Sequence, residues 1–597
     1  MKQENLWDLD SLIRKNDFEK EYKRTCSRIE AFKSTLMSLK PSIREKEFKE
    51  FVRKYLELEH QVSRVIGFAS LFQAVNVSAS ESAYYASRSS DIAKQYADIE
   101  LTIKLWIEGK AVKGLKHLDG KNAKRLFAYI PELHFYFEHI RESSKHGLSM
   151  EEEKIWTVKD INLKGPVLKL YGMIFDGLTF EMRIKGKPVK TVKTLGELSS
   201  YFRSSKTEER KAAYTALLTQ CEKNVEKIFT IYRAVVMDWH SKCEFRHFDS
   251  PISIRNFSND VDDGTIETLL DVCDKNKDIF REYFGVKARL LGLPKLSRTD
   301  INAPAGQSGE KWDFTDAKAY VLSIFKSFNE KFYVFAKKIF EEDHVDSHPR
   351  VGKRSGAFCS TLSPKITPYV LLNFTGDMDS VFTMAHELGH GVHSLYSSRL
   401  PSVVSHSSLT LAETASTFAE MLMFDEILKV SKSNKQKIAL LSNSLNDTYA
   451  TIMRQAFFVK FEKEAFCHVK NGATSKELNE VYMKNLRSQF GDSILLDEMF
   501  KYEWAYISHI FSTPFYCYAY SFGQLLSMSL YGMYKEQGKS FIPVLEKILS
   551  MGSVKKPREI LKSCGIDIGH TAFWQKSFEM IKDNLEQLKE LSGYDRK

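Results

Sequence analysis

The 597-residue sequence predicts a mainly α-helical protein with one small β-sheet. Three observations support this fold class. Apolar residues recur every three or four positions through most of the chain, β-prone runs are short and few, and no repeat of fixed period is present. The chain is longer than a single hydrophobic core usually allows, so we expect at least two domains.

The first predicted region, residues 1–195, is expected to be largely helical. Two apolar stripes at helical spacing support this, formed by Phe18, Tyr22, Cys26, Ile29, Phe32 and Leu36, and by Phe48, Phe51, Val52, Tyr55, Val62 and Val65. A β-prone island is expected near residues 165–192, where glycine and proline breaks separate short alternating runs. This island would mark the boundary with the second predicted region, residues 196–597, in which helices return.

The segment His386-Glu387-Leu388-Gly389-His390 follows a short predicted strand at residues 367–374. Asp377, Asp379 and Ser380 are N-cap candidates, and apolar residues then recur at helical spacing, which predicts a helix through the segment. On a helix, His386 and His390 lie about 40° apart on one face, so both imidazoles can reach a single ion. Two such histidines with Glu387 beside them form the H-E-x-x-H pattern of zinc hydrolases, in which the glutamate is the general base.

A catalytic zinc usually has three protein ligands, so a third is expected outside this helix. Glu413 begins the next predicted helix, 23 residues after His390, and small residues around it favour close helix packing. An alternative is that Glu413 only completes a capping box with Thr410. Glu420 shares its helix face and is a rival ligand or a supporting carboxylate. His393 is expected to support the site rather than to bind the metal.

Several stretches together resemble the oligoendopeptidase F branch of the thimet oligopeptidase-like zinc metallopeptidases. The zinc part of the resemblance is carried by residues 385–393 and 412–420, and the rest by residues 7–9, 194–198, 208–210 and 352–359. The resemblance implies a multi-helical, two-lobed metallopeptidase with a deep substrate channel and a small sheet beside the site. It also implies that residues 196–597 form the catalytic domain and that one Zn²⁺ per chain is held by His386, His390 and Glu413.

The resemblance gives meaning to two further segments. In the family, the strand segment that maps onto Gly356, Ala357 and Phe358 lies on the substrate side. The aromatic segment 509–523 maps onto a region whose histidine and tyrosines bind substrate and stabilise the transition state, an interpretation that suits donors able to hold an oxyanion. His509, Tyr518 and Tyr520 are therefore predicted to be catalytic and Tyr516 to bind substrate. Which tyrosine holds the oxyanion is left open.

Composition excludes several function classes. The formal charge of +10, from 87 basic and 77 acidic residues, is small for this length and is not concentrated in one block, so nucleic-acid binding is not expected. Eight scattered cysteines without a C-x-x-C pair fit reduced thiols. The sequence predicts neither a signal peptide nor a membrane span, so we expect a cytoplasmic protein with no membrane partner. It makes no prediction of oligomeric state.

The sequence thus predicts a zinc-dependent endopeptidase that hydrolyses internal bonds of short oligopeptides. Two alternatives of other classes remain at this point. One is a helical binding or scaffold protein with an incidental histidine pair, which would hold little zinc when purified. The other is a zinc enzyme of different specificity, either an amidase acting on a small molecule or an exopeptidase, which would not cut an end-blocked peptide internally.

Overall fold

The structure is a computed structural model that describes residues 6–77, 79–306 and 311–594. The first five residues of the predicted region 1–195 and the last three of region 196–597 lie outside this described part. Helices dominate and follow one another as α1 (Phe18–Leu36), α2 (Glu45–Val75), α3 (Ser80–Glu108), α4 (Gly120–Ala128), α5 (His134–Ser143), α6 (Met150–Lys159), α7 (Gly165–Asp176), α8 (Leu195–Tyr201), α9 (Thr207–Phe245), α10 (Pro251–Ser258), α11 (Asp263–Lys275), α12 (Lys277–Leu290), α13 (Phe314–Phe328), α14 (Glu330–Glu341), α15 (Met378–Tyr396), α16 (Ser402–Ser405), α17 (Leu409–Ala412), α18 (Thr414–Val430), α19 (Asn434–Thr448), α20 (Arg454–Lys470), α21 (Ser475–Phe490), α22 (Ser508–Ser512), α23 (Tyr518–Gln537), α24 (Ile542–Leu549), α25 (Pro557–Lys562) and α26 (Thr571–Ser592).

Seven short strands form three small sheets in the described part of the chain. They are β1 (Phe180–Met182), β2 (Lys190–Val192), β3 (Leu296–Ser297), β4 (Val345–Asp346), β5 (Phe358–Ser360), β6 (Tyr369–Leu371) and β7 (Ile494–Leu495). The three-stranded sheet has the order β4-β6-β5, with β4 parallel and β5 antiparallel to β6, so β5 is an edge strand. The mainly helical fold class is therefore confirmed, and the predicted strand at residues 367–374 is present as β6.

The β-prone island at residues 165–192 is only partly present. Strands β1 and β2 pair as an antiparallel hairpin, but residues 165–176 form the helix α7. The prediction of β-structure was therefore wrong for the first half of the island. Residues 150–176 are continuously helical, with a π-helical turn at Asp160–Lys164 between α6 and α7, and Pro166 comes just after that turn. A wider turn of this kind accommodates a proline ring inside a helix. Leucine, lysine and methionine then favour the helix. The glycine-proline pair therefore lies inside a helical segment, after a π-helical turn, and does not break it.

The described chain divides into two compact units, which agrees with the two lobes expected. The first unit comprises residues 1–145, 309–426 and 533–566, and the second comprises residues 146–308, 427–532 and 567–597. The boundary expected at residue 195 and the deep substrate channel stay predictions. No helix in residues 6–77, 79–306 and 311–594 is both long enough and apolar enough to cross a membrane.

Each unit has its own interior. In the first unit, α1, α2 and α3 pack around rings such as Phe18, Phe68 and Tyr85, and this core reaches Tyr369 and Leu371 of β6. The sheet is thereby anchored on one side by the N-terminal helices. The second unit buries two ion pairs, Arg210 with Asp300 and Arg298 with Glu503. Breaking either pair would leave a buried charge without compensation.

Candidate active site

Helix α15 carries the two histidines of the motif. Its N-cap is Asp377, whose carboxylate accepts the backbone N–H of Ser380 at 2.8 Å and so satisfies an otherwise unpaired donor of the first turn. The apolar face of the helix, including Val381, Leu388 and Val392, is fully buried. His386 and His390 are only partly buried and stand beside this face, with their ring centroids 4.7 Å apart. The predicted helix is present, and the two histidines lie on the same side of it.

Glu413 lies at the junction between α17 and α18. Thr410 is inside α17 and Glu413 is the C-cap residue of that helix, so the capping-box alternative is not what forms. The close packing expected from small residues is present. A Cβ added to Gly389 of α15 would stand 2.6 Å from Cα of Ser416 and 2.8 Å from the carbonyl oxygen of Ala415. This contact brings the start of α18, and with it Glu413, against the histidine helix.

The three predicted ligands offer their donor atoms to one point. Nε2 of His386 and Nε2 of His390 are 3.1 Å apart, and Oε2 of Glu413 lies 3.5 Å from the first and 3.3 Å from the second. Zinc bonds of about 2.0–2.1 Å in tetrahedral geometry place neighbouring donors about 3.3 Å apart. The side chains therefore fit a zinc ion.

Glu420 contacts the other nitrogen of His386. Its carboxylate is hydrogen-bonded to Nδ1, so Nε2 is the nitrogen that faces the other two donors and would bind a metal. Burial opposes the charged form of His386, but this hydrogen bond and the nearby carboxylates raise its pKa to about 9. Glu420 thus acts as a carboxylate that orients a ligand and makes it more basic. The alternative that Glu420 is itself a ligand is not favoured by this position.

The electrostatic setting differs between the two other carboxylates of the site. Burial raises the pKa of Glu387, which is only 7% exposed. Burial also opposes ionisation of Glu413, but the hydrogen bond from His390 and the two imidazoles hold its pKa at about 2. Oε2 of Glu413 further accepts the hydroxyl of Ser416 at 2.8 Å. One carboxylate is therefore kept ionised, as a ligand should be, while the other has a raised proton affinity, as a general base needs.

A cavity of about 570 Å³ opens beside these residues within the first unit. Its wall contains Glu387 and His390 on one side and residues 357–361, which include edge strand β5, on the other. Ala357 and Phe358 line this cavity, whereas Gly356 is not part of the wall, and its carbonyl accepts the side-chain amide of Asn373. Substrate binding by these three residues stays a prediction.

Most other cavity-lining residues were not predicted; the exception is His393, which was expected to support the site. A set of hydroxyl and imidazole groups completes the wall, formed by Thr361, His393, Ser394, Ser397, Ser405, His406 and Ser407. The loop after α15 is rich in serine, and this polar composition is the sequence signal that could have pointed to the wall. Burial lowers the pKa of His393 to about 4, so this ring is neutral, and it is hydrogen-bonded to the backbone of Ala412.

The aromatic segment is placed in the second unit. The hydroxyl of Tyr520 lies 3.3 Å from Nε2 of His509, and the ring of Tyr516 is parallel to that of His509 at 6.2 Å. Tyr518 does not join this group, because its ring is fully buried and its hydroxyl accepts the side-chain amide of Asn259 at 2.9 Å. Residues 516 and 520 share one side of the chain at a spacing of four, and residue 518 points away from them.

Comparison with known proteins identifies the family. The model of peptidase family M3 matches residues 200–580. The chain is 24% identical to an oligoendopeptidase F homologue of Lactococcus lactis subsp. lactis, covering 98% of this chain and 97% of the relative. It is 28% identical to the oligoendopeptidase F homologue of Borreliella burgdorferi, covering 98% of each. A crystal structure of a protein from Chlamydophila abortus has the same fold, with a TM-score of 0.88, 22% identity and 98% coverage of both chains. A scaffold protein with an incidental histidine pair is thereby excluded, and the chain belongs to peptidase family M3 and is a metallopeptidase.

Proposed function

We propose that this protein is a zinc-dependent endopeptidase that cuts internal bonds of short oligopeptides. The single observation that carries the proposal is the donor triangle of His386, His390 and Glu413, whose sides of 3.1–3.5 Å suit a tetrahedral zinc ion. The names of the full-length relatives, oligoendopeptidase F homologues, support the same substrate class.

The residues around the triangle supply the remaining chemistry. Zinc held there would polarise the scissile carbonyl and lower the pKa of the attacking water. Glu387 takes the proton of that water and passes it to the leaving amine nitrogen, a role that suits a carboxylate whose pKa is raised by burial. Glu420 fixes the ring of His386 throughout, because it is hydrogen-bonded to the nitrogen that faces away from the donor triangle.

The edge strand suggests how an extended peptide binds. Strand β5 pairs with β6 on one side only in the described part of the chain, and residues 357–361 line the cavity that contains Glu387. A substrate strand can pair with the open side of β5 through backbone hydrogen bonds, which do not depend on side-chain identity. We therefore expect broad tolerance of residues around the cleaved bond, with Ala357 and Phe358 in contact with the peptide.

The group formed by His509, Tyr516 and Tyr520 is proposed to bind substrate and to hold the oxyanion that forms at the cleaved carbonyl. Burial lowers the pKa of His509, so at neutral pH its ring is uncharged and can accept or donate a hydrogen bond. Tyr520 is 37% exposed, and its hydroxyl lies 3.3 Å from Nε2 of His509, so the two groups can act together on an oxyanion. Of the three tyrosines of the segment, this geometry favours Tyr520 for the oxyanion and Tyr516 for substrate contact, rather than Tyr518.

A length series of peptides blocked at both ends tests the proposal. The purified protein is incubated with each peptide, with and without a chelator, and the products are identified by mass spectrometry. We expect internal cuts that disappear with the chelator and return on addition of zinc. Cleavage only of peptides with free ends would instead indicate an exopeptidase, and cleavage that a chelator leaves unchanged would refute the metal mechanism.

A further inference from the structure

We propose that Glu462 and Arg255 are positioning residues that hold the two ends of one peptide group, the one joining Pro514 to Phe515. By fixing that peptide group, they would set the position of Tyr516 and Tyr520 relative to His509. The inference rests on the proposed role of His509 and its two tyrosines, and it adds two residues that touch neither the substrate nor the donor triangle.

Both polar atoms of this peptide group are bound by side chains. Nε of Arg255 donates to the carbonyl oxygen of Pro514 at 3.2 Å, and the N–H of Phe515 donates to Oε1 of Glu462 at 2.7 Å. The carbonyl of residue 514 and the N–H of residue 515 belong to the same planar unit. Arg255 from α10 and Glu462 from α20 therefore bind opposite ends of this peptide group and fix the orientation of its plane.

Phe515 has a backbone conformation that needs such support. Its φ of 59° lies in the left-handed region, which is uncommon for a bulky residue and persists only where surrounding contacts impose it. The ring of Phe515 is buried and packs on Phe466 with centroids 4.6 Å apart. Glu462 and Phe466 are one turn apart on α20, so one helix holds both the backbone and the side chain of Phe515.

The held segment is the link between the two parts of the aromatic group. His509 belongs to α22 and Tyr520 to the first turn of α23, and residues 513–517 join these helices. The same short stretch is also bound one turn later, where Asn259, the residue after α10, donates to the hydroxyl of Tyr518. A rotated peptide group at residues 514–515 would carry Tyr516 away from His509 and change the approach of Tyr520.

Glu462 is an unfavourable choice for packing alone. Its side chain is completely buried, and burial raises the pKa of its carboxyl to about 8. An apolar residue would cost less in this interior, so the acceptor itself is what the position requires. A glutamine offers an oxygen of the same reach, and Oε2 of Glu462 makes no hydrogen bond in the described part of the chain, so an amide nitrogen can occupy its place.

The test compares Glu462→Gln with Glu462→Leu in the full-length protein loaded with zinc. Leucine removes the acceptor for the Phe515 N–H, and we expect kcat on an end-blocked peptide to fall about 10- to 100-fold, as for a misplacement of about 1 Å, with zinc content unchanged. Glutamine should restore kcat. Hydrogen exchange of the 513–517 backbone should become faster in the leucine variant and return towards the parent rate in the glutamine variant.

Tyr283→Phe is the control for stability. It also removes a buried hydrogen bond of the second unit, to the carbonyl of Ser442 at 2.8 Å, but does not touch the segment. It should lower the melting temperature without the loss of kcat. If Glu462→Leu does not fold, Arg255→Met removes the contact at the other end of the peptide group and should lower kcat in the same way.

Several outcomes would overturn the inference. The first is a parental kcat in Glu462→Leu or, if that variant does not fold, in Arg255→Met. The second is a loss of kcat in Glu462→Gln as large as that in Glu462→Leu, and the third is a loss of the same size in Tyr283→Phe. His509→Ala separates this failure from a failure of the proposed function. If that variant loses kcat while Glu462→Leu keeps it, only the positioning role is wrong. If His509→Ala itself keeps kcat, the role proposed for the aromatic group is wrong and the inference falls with it.

Discussion

Gly389→Ala tests whether the contact between α15 and α18 sets the metal site. The added Cβ would lie 2.6 Å from Cα of Ser416 and 2.8 Å from the carbonyl oxygen of Ala415, whereas comfortable carbon contacts begin near about 3.5 Å. Both obstacles are backbone atoms, so no side-chain rotation relieves them, and the helices must separate by roughly 1 Å. Glu413 would move with Ser416, away from His386.

We expect Gly389→Ala to weaken zinc binding and to lower peptide cleavage about 100-fold, the usual effect of a displacement near 1 Å in a catalytic site. Overpacking costs about 1–3 kcal/mol, offset by about 1 kcal/mol of helix propensity, so the protein should still fold. Gly391→Ala is the matched control on the same helix, because its Cβ would meet the flexible end of Ile339. The assay measures zinc stoichiometry, cleavage rate and melting temperature in parallel. Parental zinc content and activity in Gly389→Ala would refute the reasoning.

Three further predictions concern single side chains. Glu387→Gln should keep zinc and lose most cleavage, because the amide cannot accept the proton of the attacking water; parental rates would show that the base lies elsewhere. Glu420→Gln should lower zinc affinity about 10- to 100-fold in a chelator titration, since the carboxylate no longer orients His386, and an unchanged affinity would contradict that role. Burial lowers the pKa of Lys287 to about 7, so the folded state binds fewer protons than the unfolded state between about pH 7 and the ordinary lysine pKa. The stability of the parent therefore rises with pH from about 7 towards the ordinary lysine pKa, and this gain is lost as pH falls back to 7. Measured at pH 6 and pH 9, the free energy of unfolding of Lys287→Met should decrease relative to that of the parent at pH 9, by roughly 1 kcal/mol per pH unit above 7. A difference independent of pH would contradict the lowered pKa of Lys287.

Local patterns predicted the parts of the fold that depend on neighbouring residues. The helix through His386 and His390 follows from apolar spacing and from the cap at Asp377, and both are present. The strand at residues 367–374 was predicted from a short β-rich run and forms as β6, whereas the small sheet to which it belongs was implied by the family resemblance. The error at residues 165–176 also has a local cause. A glycine-proline pair usually signals a turn, but here a π-helical turn at Asp160–Lys164 precedes it and the helix continues through Pro166.

Only the tertiary structure separated the roles of similar side chains. Glu413 and Glu420 share a helix face in the sequence, but the first reaches Nε2 of both imidazoles and the second reaches Nδ1 of His386. The tyrosines at 516, 518 and 520 are equivalent in composition, yet Tyr518 is buried against Asn259 while the other two meet His509.

The sequence by itself determined the pair of histidines and the helix that presents them, because a spacing of four residues fixes orientation within one turn. It could not determine where a carboxylate 23 residues away would lie. Nor could it show that the close approach of α15 and α18 depends on Gly389 having no side chain. Such distances arise from packing between elements that are remote along the chain, and the same is true of the peptide group held by Arg255 and Glu462. Local periodicity carries no information about those contacts, so only the folded chain decides them.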